Sequence, residues 1–486
     1  MFLPFRALLL QGLSLLGSRT GPEPPLALEG VTVLTMEAQG AAQGEAPGTV
    51  LENRTVLVSE GRIAALGPAG EVEIPEGARR VDARGQFLLP GLVDMHCHLL
   101  SDDRIADALA DEELAVIVAN GVTTIRIPIG KREHLALRER VRRAEILGPR
   151  LFVASPQFSG RASGAIFNGV EVKDPSAASE AVRRFHDQGY DFVKLTFFVS
   201  RPVFDAVVKS AGELGMPVFG HVGPEVGLEA ALAARMQIEH LDQYLEALLP
   251  ESAEKRESLS GMGVWTNWDT LDELDEARIP GLVRAVVEAG VWSTPTLAFI
   301  DTCFGEGRSD AEVDLSPDAR FVSPEVRAEL LSNRDLFWTQ VAPSPEQRAR
   351  FVHLRREIVR QLEIAGGKLL AGSDAPEWLL LYGFTLHREL ERLVGAGLTP
   401  YQALEAATRN PAEWLGVLGE DGTVSVGRRA DLLLLGANPL EDIRNTTKIA
   451  GVVLDGRWIS RQELDLLLER AAAALSKAPL RSELKG

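Results

Sequence analysis

The sequence predicts an α/β protein, a (β/α)8 TIM barrel with a small β-sandwich domain. The central part of the chain alternates short apolar runs with amphipathic helical stretches, which is the pattern of parallel strands joined by helices. On either side of it, residues 26–89 and 419–460 hold short apolar runs separated by turn signals, as antiparallel strands do. A chain of 486 residues has room for both units.

Each flanking β region is too small to enclose a core by itself. The N-terminal region contains the runs LALEGVTVLTM, TVLVSEGRIAALG and RRVDARGQFLLP, with turn signals such as Glu60-Gly61 between strands. The C-terminal region contains TVSVGRRADLLLLG and IAGVVLDGRWIS. We therefore expect residues 26–89 and 419–460 to pair into one β-sandwich built from both parts of the chain.

Residues 90–418 hold eight strand-like runs, which we predict to form the barrel. In chain order they are LVDMHCHL, VTTIRIPI, RLFVASPQF, FVKLTFF, MPVFGHV, MQIEHL, VWSTPTL and KLLAGSD. Helical patterns separate them, and repeats of this kind fit a barrel with insertions. Residues 298–367 are too long for a simple connection, so we expect a helical lid there. Residues 461–486 are expected to form an amphipathic helix and a tail.

Composition argues against several classes of protein. The net charge is −18, from 51 basic and 69 acidic residues, so we expect no nucleic-acid partner. Cys97 and Cys303 are the two cysteines, too few for a disulfide framework. Because no run of about 18 apolar residues is uninterrupted, we expect no transmembrane segment.

Residues 1–25 form a leader or a weak signal-like segment. Arg6 precedes an apolar run, but Gln11 interrupts the run and no clear cleavage site follows. The location of the protein is therefore open, and export, for example to the periplasm, is slightly favoured over the cytoplasm. The alternatives are a disordered leader and a misplaced start codon.

Polar side chains at the ends of the predicted strands form the candidate site, since catalytic groups of such barrels lie at the C-terminal strand ends. These residues are His96, His98, Lys194, His221, His240 and Asp374. The two histidines of strand one are two residues apart, so their rings project from the same face. Cys97 between them points the other way and is expected to pack in the core. Imidazoles with a carboxylate suit zinc or a similar divalent metal.

The motifs that carry these residues are FLLPGLVDMHCHL, DFVKL, PVFGHV, QIEHLDQY and AGSDAP, followed by GFTLHREL, GLTPYQALEAATRNPAEWLG and VGRRADLLLLGANPLEDI. Together they resemble the amidohydrolase superfamily, in the branch that includes imidazolonepropionase-like and Xaa-Pro dipeptidase-like proteins. The resemblance extends over nearly the whole chain from about Leu26. Two features depart from the family pattern. Gly220-His221-Val222 stands where relatives often carry a His-Ala pair, and the loop PQFSGRASGAIFNG matches no known specificity. Both leave the substrate open, but not the metal site.

The resemblance implies two divalent metal ions, Zn²⁺ first, with Mn²⁺ or another ion as the alternative. One metal would be held by His96, His98 and Asp374, and the other by His221 and His240. Lys194, carboxylated on its amine, would bridge the two together with a hydroxide. The charge of Lys194 points the same way, since an ammonium beside divalent cations would be repelled, although loss of its proton or a position outside the site would also relieve the repulsion.

The implied function is metal-dependent hydrolysis of C–N bonds in amides, peptides or cyclic amides, with a dipeptidase- or prolidase-like activity as the first hypothesis. Asp374 would also act as the proton shuttle, and His240 would help to hold the developing oxyanion. The alternatives are an imidazolonepropionase-like hydrolase of cyclic amides or lactones, a mononuclear deaminase, which would not use Lys194, and a non-catalytic barrel scaffold.

The remaining predictions concern substrate contacts and partners. Tyr244 and His387 are candidate substrate-binding residues, each weighed against a role in packing. Three other histidines, His134, His186 and His353, lie on predicted helices and are expected at the solvated surface. The expected partner is a small-molecule or peptide substrate, and association into a homo-oligomer is an open alternative.

Overall fold

The computed structural model describes residues 23–37, 50–160, 169–251, 259, 261–305 and 317–482. Most of the signal-like segment therefore lies outside the described residues. Residues 161–168 of the loop PQFSGRASGAIFNG also lie outside them. Within the described ranges, none of the helices combines the length and the apolarity that a membrane span requires.

The strands, numbered in chain order, are β1 (Leu26–Leu34), β2 (Val50–Ser59), β3 (Arg62–Pro68), β4 (Arg79–Asp82), β5 (Phe87–Pro90), β6 (Leu92–Asp94), β7 (Val122–Ile127), β8 (Arg150–Val153), β9 (Gln157–Ser159), β10 (Gly169–Glu171), β11 (Val193–Leu195), β12 (Val218–Gly220), β13 (Gln237–Glu239), β14 (Trp292–Thr294), β15 (Lys368–Leu369), β16 (Leu432–Leu435), β17 (Ile449–Leu454) and β18 (Arg457–Ser460).

The α-helices are α1 (Ala110–Ala119), α2 (Arg132–Arg142), α3 (Pro175–Asp187), α4 (Arg201–Glu213), α5 (Gly227–Ala233), α6 (Ile279–Ala289), α7 (Leu297–Phe304), α8 (Pro324–Val341), α9 (Pro345–Ile364), α10 (Phe384–Gly395), α11 (Pro400–Ala406), α12 (Arg409–Trp414) and α13 (Arg461–Leu475). Helix α3 shows why such segments become helical. Asp174 caps its first turn by accepting from the backbone N–H groups of Ser176 and Ala177, and Ala178, Ala181, Val182 and Phe185 share its buried face.

The two flanking β regions form one eight-stranded sheet, in the order β18-β17-β16-β5-β1-β2-β3 with β4 beside β1. The antiparallel pair β5 and β16 joins the N-terminal to the C-terminal part, and Leu89 lies opposite Leu433. This sheet has a core of its own, which includes Leu28, Val56 and Leu432. The two regions therefore pair as predicted.

The predicted β-sandwich is not confirmed. The strands described in residues 26–89 and 419–460 belong to one sheet and form no second layer. The β3 edge of that sheet instead meets the segment that leads into β16. The Ile63 N–H donates to the Arg428 carbonyl at 2.9 Å, and the Ile63 carbonyl accepts from Gly427 N–H at 2.8 Å. The β3 edge is thus bonded to the chain that leads into β16, and Ile63, Val424 and Ala430 share the core of this sheet.

Each of the eight strand-like runs predicted for the barrel contains a strand, and all of them pair in parallel with their neighbours. Strands β6, β7 and β8 form one sheet, and β9 and β11 to β15 belong to a second sheet with β10 at its edge. Two isolated parallel bridges, Ala154 with Phe192 and Cys97 with Ala375, join these two sheets. The result is a TIM-barrel-like arrangement in which the C-terminal ends of the strands meet at one end.

The helices that follow β14 stand over that end of the barrel. They are α7, α8 and α9, and with a 3-10 helix at Pro317–Phe321 and short connections they make up most of the described part of the predicted 298–367 insertion. Helix α13 packs against α1, where Arg470 forms a 2.8 Å ion pair with Glu112. Its residues Leu464 and Leu467 are buried, on the face of the helix that packs against the rest of the fold.

Candidate metal centre and active-site cavity

A cavity of about 350 Å³ opens at the C-terminal ends of the barrel strands. All six of the predicted metal ligands line it: His96, His98, Lys194, His221, His240 and Asp374. Lys194 lies in β11, and the other five residues follow the C-terminal ends of β6, β12, β13 and β15, so the parallel strands bring together residues that are far apart in sequence. A larger cavity of about 560 Å³, lined by Arg150 and Asp431 among others, contains none of the six.

His96, His98 and Asp374 form the tightest group. Asp374 Oδ1 lies 3.3 Å from His96 Nε2 and 3.5 Å from His98 Nε2. One ligand atom from each residue falls within 4.8 Å of the others, which a single divalent ion could span. Asp374 has a left-handed backbone with φ of 54°, a conformation that costs free energy and is typical of functional sites.

The tautomer of His96 is fixed by a buried acid. His96 Nδ1 lies 2.7 Å from Glu239 Oε2, and Glu239 in turn pairs with the fully buried Arg126. Burial opposes ionisation of Glu239, but the charge of Arg126 and the hydrogen bond from His96 outweigh it and hold its pKa well below the usual range. Since an ionised carboxylate only accepts, His96 must donate from Nδ1, and the lone pair remains on Nε2.

His221 and His240 are oriented in the same way. His221 Nδ1 lies 2.9 Å from Asp242 Oδ2. His240 Nδ1 lies 2.7 Å from the Thr296 hydroxyl, which donates its own proton to the Pro295 carbonyl at 2.8 Å and so must accept from the ring. The Nδ1 atoms of His96, His221 and His240 thus each have a hydrogen-bond partner, and the Nε2 atom of each ring remains available as a ligand. This arrangement is typical of metal-binding histidines.

Burial also keeps these rings neutral, as a metal ligand must be. Desolvation lowers the pKa of His96 to about 4 and that of His240 to about 3. It also lowers the pKa of His221. His98 differs, because its hydrogen bond to Asp374 outweighs burial and raises its pKa.

Lys194 is the unusual member of the group. Its side chain is 1% exposed, and its Nζ has no hydrogen-bond partner. Burial lowers its pKa to about 8. Gly220 makes room for this side chain, since a Cβ at that position would lie 3.0 Å from Lys194 Cδ and its φ of 132° favours glycine.

Residues 87–459 match the sequence model of the amidohydrolase family. The chain belongs to the amidohydrolase family. This membership supports a hydrolytic enzyme and agrees with the resemblance seen in the motifs. It also accounts for the buried histidines and aspartate at the strand ends, because the family is one of metal-dependent hydrolases.

Solved structures resemble this amidohydrolase over nearly its whole length. A candidate prolidase from Bifidobacterium longum is 26% identical, with a TM-score of 0.65 over 93% of this chain and 100% of that one. Bottromycin amidohydrolase is 22% identical, with a TM-score of 0.68 over 97% of this chain and 94% of that one, and shows a common fold.

A curated relative matches a shorter segment. L-hydantoinase of Paenarthrobacter aurescens is 31% identical over 144 residues, which are 29% of this amidohydrolase and 28% of the hydantoinase. The match thus spans less than a third of that enzyme.

The structure corrects three expectations about side chains away from the metal centre. The Tyr244 hydroxyl is buried against Ser293 at 2.9 Å, and His387 is buried between Thr446 and the Asn120 carbonyl. Neither residue lines the cavity of the amidohydrolase. His134, expected at the surface, is 2% exposed and lies 2.7 Å from Asp102. His186 and His353 are exposed as predicted.

The second layer of the site was not predicted. It consists of Glu239, Asp242 and Thr296, which contact the histidines from behind, and of Arg126, which pairs with Glu239. The strand period offered a signal for Glu239, because Gln237 and Glu239 alternate toward the barrel interior, where both contact Arg126. Nothing in the local sequence pairs Asp242 and Thr296 with their histidines, or Arg126 with Glu239.

Proposed function

We propose that this amidohydrolase hydrolyses C–N bonds of amides, peptides or cyclic amides and binds two divalent metal ions at the strand ends. The observation that carries this proposal is the common orientation of His96, His221 and His240, whose Nδ1 atoms all face fixed acceptors. Histidines that serve only packing have no reason to present the same free nitrogen to one cavity. A metal centre explains all three.

The donor set suits zinc first and manganese as the alternative. His96, His98 and Asp374 would hold one ion, and His221 and His240 the other. Bound divalent metals lower the pKa of water and polarise a carbonyl oxygen, which is the chemistry that amide hydrolysis requires.

Lys194 is proposed to bridge the two ions as a carbamate. Its buried, unpartnered Nζ is costly in free energy as either an ammonium or a free amine. Attack of the neutral amine on CO₂ would form an N–C bond as one C–O π bond opens and would release one proton, leaving a carbamate whose single negative charge is shared by two oxygens. The cost of burial would then be offset by two charged contacts.

Asp374 is proposed to move the proton. The nitrogen of an amide is a very poor leaving group unless it is protonated, so a positioned acid is needed at the scissile bond. Asp374 lies in the middle of the histidine cluster, 3.3 Å from His96 and 3.7 Å from His240. It can therefore take a proton at the start of the reaction and deliver it to the departing nitrogen. The oxyanion role predicted for His240 is not retained, because its Nδ1 proton faces Thr296 and its Nε2 would bind a metal, which leaves no N–H to donate.

The comparisons favour two substrate classes. The structural likeness to a candidate prolidase supports a dipeptidase-like activity, and the match to L-hydantoinase supports hydrolysis of a cyclic amide, with a lactone as a related case. A mononuclear deaminase is the third alternative, since adenine deaminase of Moorella thermoacetica matches over 92 residues. The buried Lys194 argues against it, and the intact ligand set argues against a non-catalytic scaffold.

Metal content and turnover test the proposal together. The purified chain should hold about two ions per molecule and, loaded with zinc or manganese, should hydrolyse at least one of a panel of dipeptides, N-acyl amino acids, lactones and cyclic imides. The variant His98→Ala should lose metal and turnover, while His387→Gln, at a buried histidine outside the cavity, should keep its metal. One ion with deamination, or no ion and no turnover, would contradict the proposal.

A further inference from the structure

One wall of the active-site cavity consists of aromatic side chains. The wall is formed by Phe197, Trp265, Phe299, Phe304, Phe337 and Trp378. Neighbouring rings touch along it, with centroids 5.7 Å apart for Phe299 and Trp378 and 5.1 Å apart for Phe337 and Trp378. The residues come from separate segments, among them α7 and α8, that meet only above the barrel.

This aromatic wall begins at the metal centre. Phe197 stacks on the His221 ring with a centroid distance of 4.2 Å, and Phe299 lies 6.0 Å from the His240 ring. A group bound against the wall would therefore lie next to the bond that reacts, not at a distant subsite.

The wall has little capacity for hydrogen bonding. Phenylalanine rings have none, and the indole N–H of Trp265 is used at 2.9 Å by Asp242. Phe299, Phe337 and Trp378 are nevertheless only partly buried, so apolar surface remains open within the cavity. An apolar lining with a few polar groups at one point is typical of a pocket that binds an apolar ligand group.

The charged side chains beside the metal-ligand candidates carry a net negative charge, since Arg104 lies among Asp102, Asp103 and Glu377. Arg104 lies 3.3 Å from Asp103 and 3.4 Å from Glu377, so its charge is shared between two acids. Among the described residues that line the cavity, the other side-chain cation besides the histidines is Lys194, on the floor. The rim therefore favours an uncharged group over a free carboxylate at the mouth of the cavity.

We propose that the substrate carries an aromatic ring close to the scissile C–N bond and binds that ring against the aromatic wall. This inference rests on the proposed C–N hydrolysis and specifies its substrate class. The cavity of about 350 Å³ is near the lower end of the range for small-molecule sites, so it suits one ring beside the amide and excludes a long peptide.

Three uncharged substrates test the preference on either side of the acyl C–N bond: N-acetylglycinamide, N-phenylacetylglycinamide and N-acetylphenylalaninamide. The metal-loaded protein should hydrolyse the acyl bond of at least one aromatic member with a kcat/KM at least about tenfold above that of N-acetylglycinamide, because a filled apolar pocket discriminates by about that factor or more. A ratio below about threefold for both would overturn the inference.

Variants assign the preference to the wall. Phe337→Ala and Phe299→Ala should each lower the aromatic-to-acetyl ratio by at least about fivefold. Leu336→Ala is the matched control, because this side chain is on the same helix as Phe337 but is 59% exposed. Equal ratios in Phe337→Ala, Phe299→Ala and Leu336→Ala would contradict a role of the wall.

A binding measurement separates failure of this inference from failure of the proposed function. If the metal-loaded protein turns over no amide, the proposed function fails, while the wall can still be tested by ligand-observed NMR with phenylacetamide and acetamide. Binding of phenylacetamide at least about tenfold tighter, and lost in Phe337→Ala, supports the aromatic site. Equal affinity for the two amides overturns it.

Discussion

The acid behind His96 offers the sharpest test of how the site is held. Glu239 has no exposed surface and accepts from both Arg126 and His96. Glu239→Gln would leave the guanidinium of Arg126 buried without its counter-charge, a loss that typically costs about 3–5 kcal/mol. The same substitution at Glu29, in a surface ion pair with Arg80, should cost at most about 1 kcal/mol.

Glu239→Gln should also weaken metal binding. A neutral amide can donate to His96 Nδ1 as well as accept from it, so it no longer selects the tautomer that leaves Nε2 free. Changes behind a metal ligand typically reduce metal affinity by 10–100-fold, and competition with a chelator would measure this loss. Urea denaturation of the metal-free protein would measure the change in the free energy of unfolding.

A double variant separates the two effects. Arg126→Met together with Glu239→Gln removes both buried charges, so it should recover most of the lost free energy of unfolding. It should not recover metal affinity, because His96 still lacks a carboxylate partner. Full metal affinity in Glu239→Gln, or an unfolding free energy within about 1 kcal/mol of the parent, would refute the reasoning.

Three further predictions concern the ligands themselves. Lys194→Ala should lose bound metal and activity, with partial rescue by short carboxylic acids; full metal content by elemental analysis would exclude a bridging role. Asp374→Asn should keep the circular dichroism spectrum and lose turnover by about 10²–10⁴-fold at full metal occupancy, whereas a near-normal kcat would exclude the proton shuttle. The metal-free protein should melt at lower temperature as the pH falls from about 6.5 to about 4. In this range the unfolded chain binds protons at His96 and His240, whereas the folded protein keeps both rings neutral, so the unfolded state gains in stability. His98 offsets part of this loss because its pKa is raised in the folded protein. A melting temperature that does not change with pH would contradict the prediction.

Local sequence was enough to predict the order of the barrel strands and the metal-ligand candidates, because both depend on the periodicity of parallel strands. Local sequence did not predict the lengths of the strands. The run KLLAGSD predicts seven residues of strand, but β15 contains only Lys368 and Leu369. Beyond them, the backbone of Ala371 accepts from Met95 and Asp374 turns left-handed, so the ladder ends before the functional residue.

The errors concern residues whose environment is set by distant parts of the chain. Tyr244 follows His240 closely in sequence, yet the left-handed backbone of His240, Leu241 and Gln243 turns it back toward Ser293. His134 lies on a helix with charged neighbours, and only its contact with Asp102 explains its burial. Such contacts leave no periodic trace in the sequence.

The pairing of β5 with β16 has a consequence for the order in which the protein is assembled. The barrel sequence lies between two halves of one sheet, so during synthesis β5 has a free edge while all of the barrel emerges. Only when Leu433 becomes available can it cover Leu89. An uncovered strand edge invites association with other chains. We therefore expect chains that are truncated between Asp374 and β16 to aggregate, although each of them contains every candidate metal ligand.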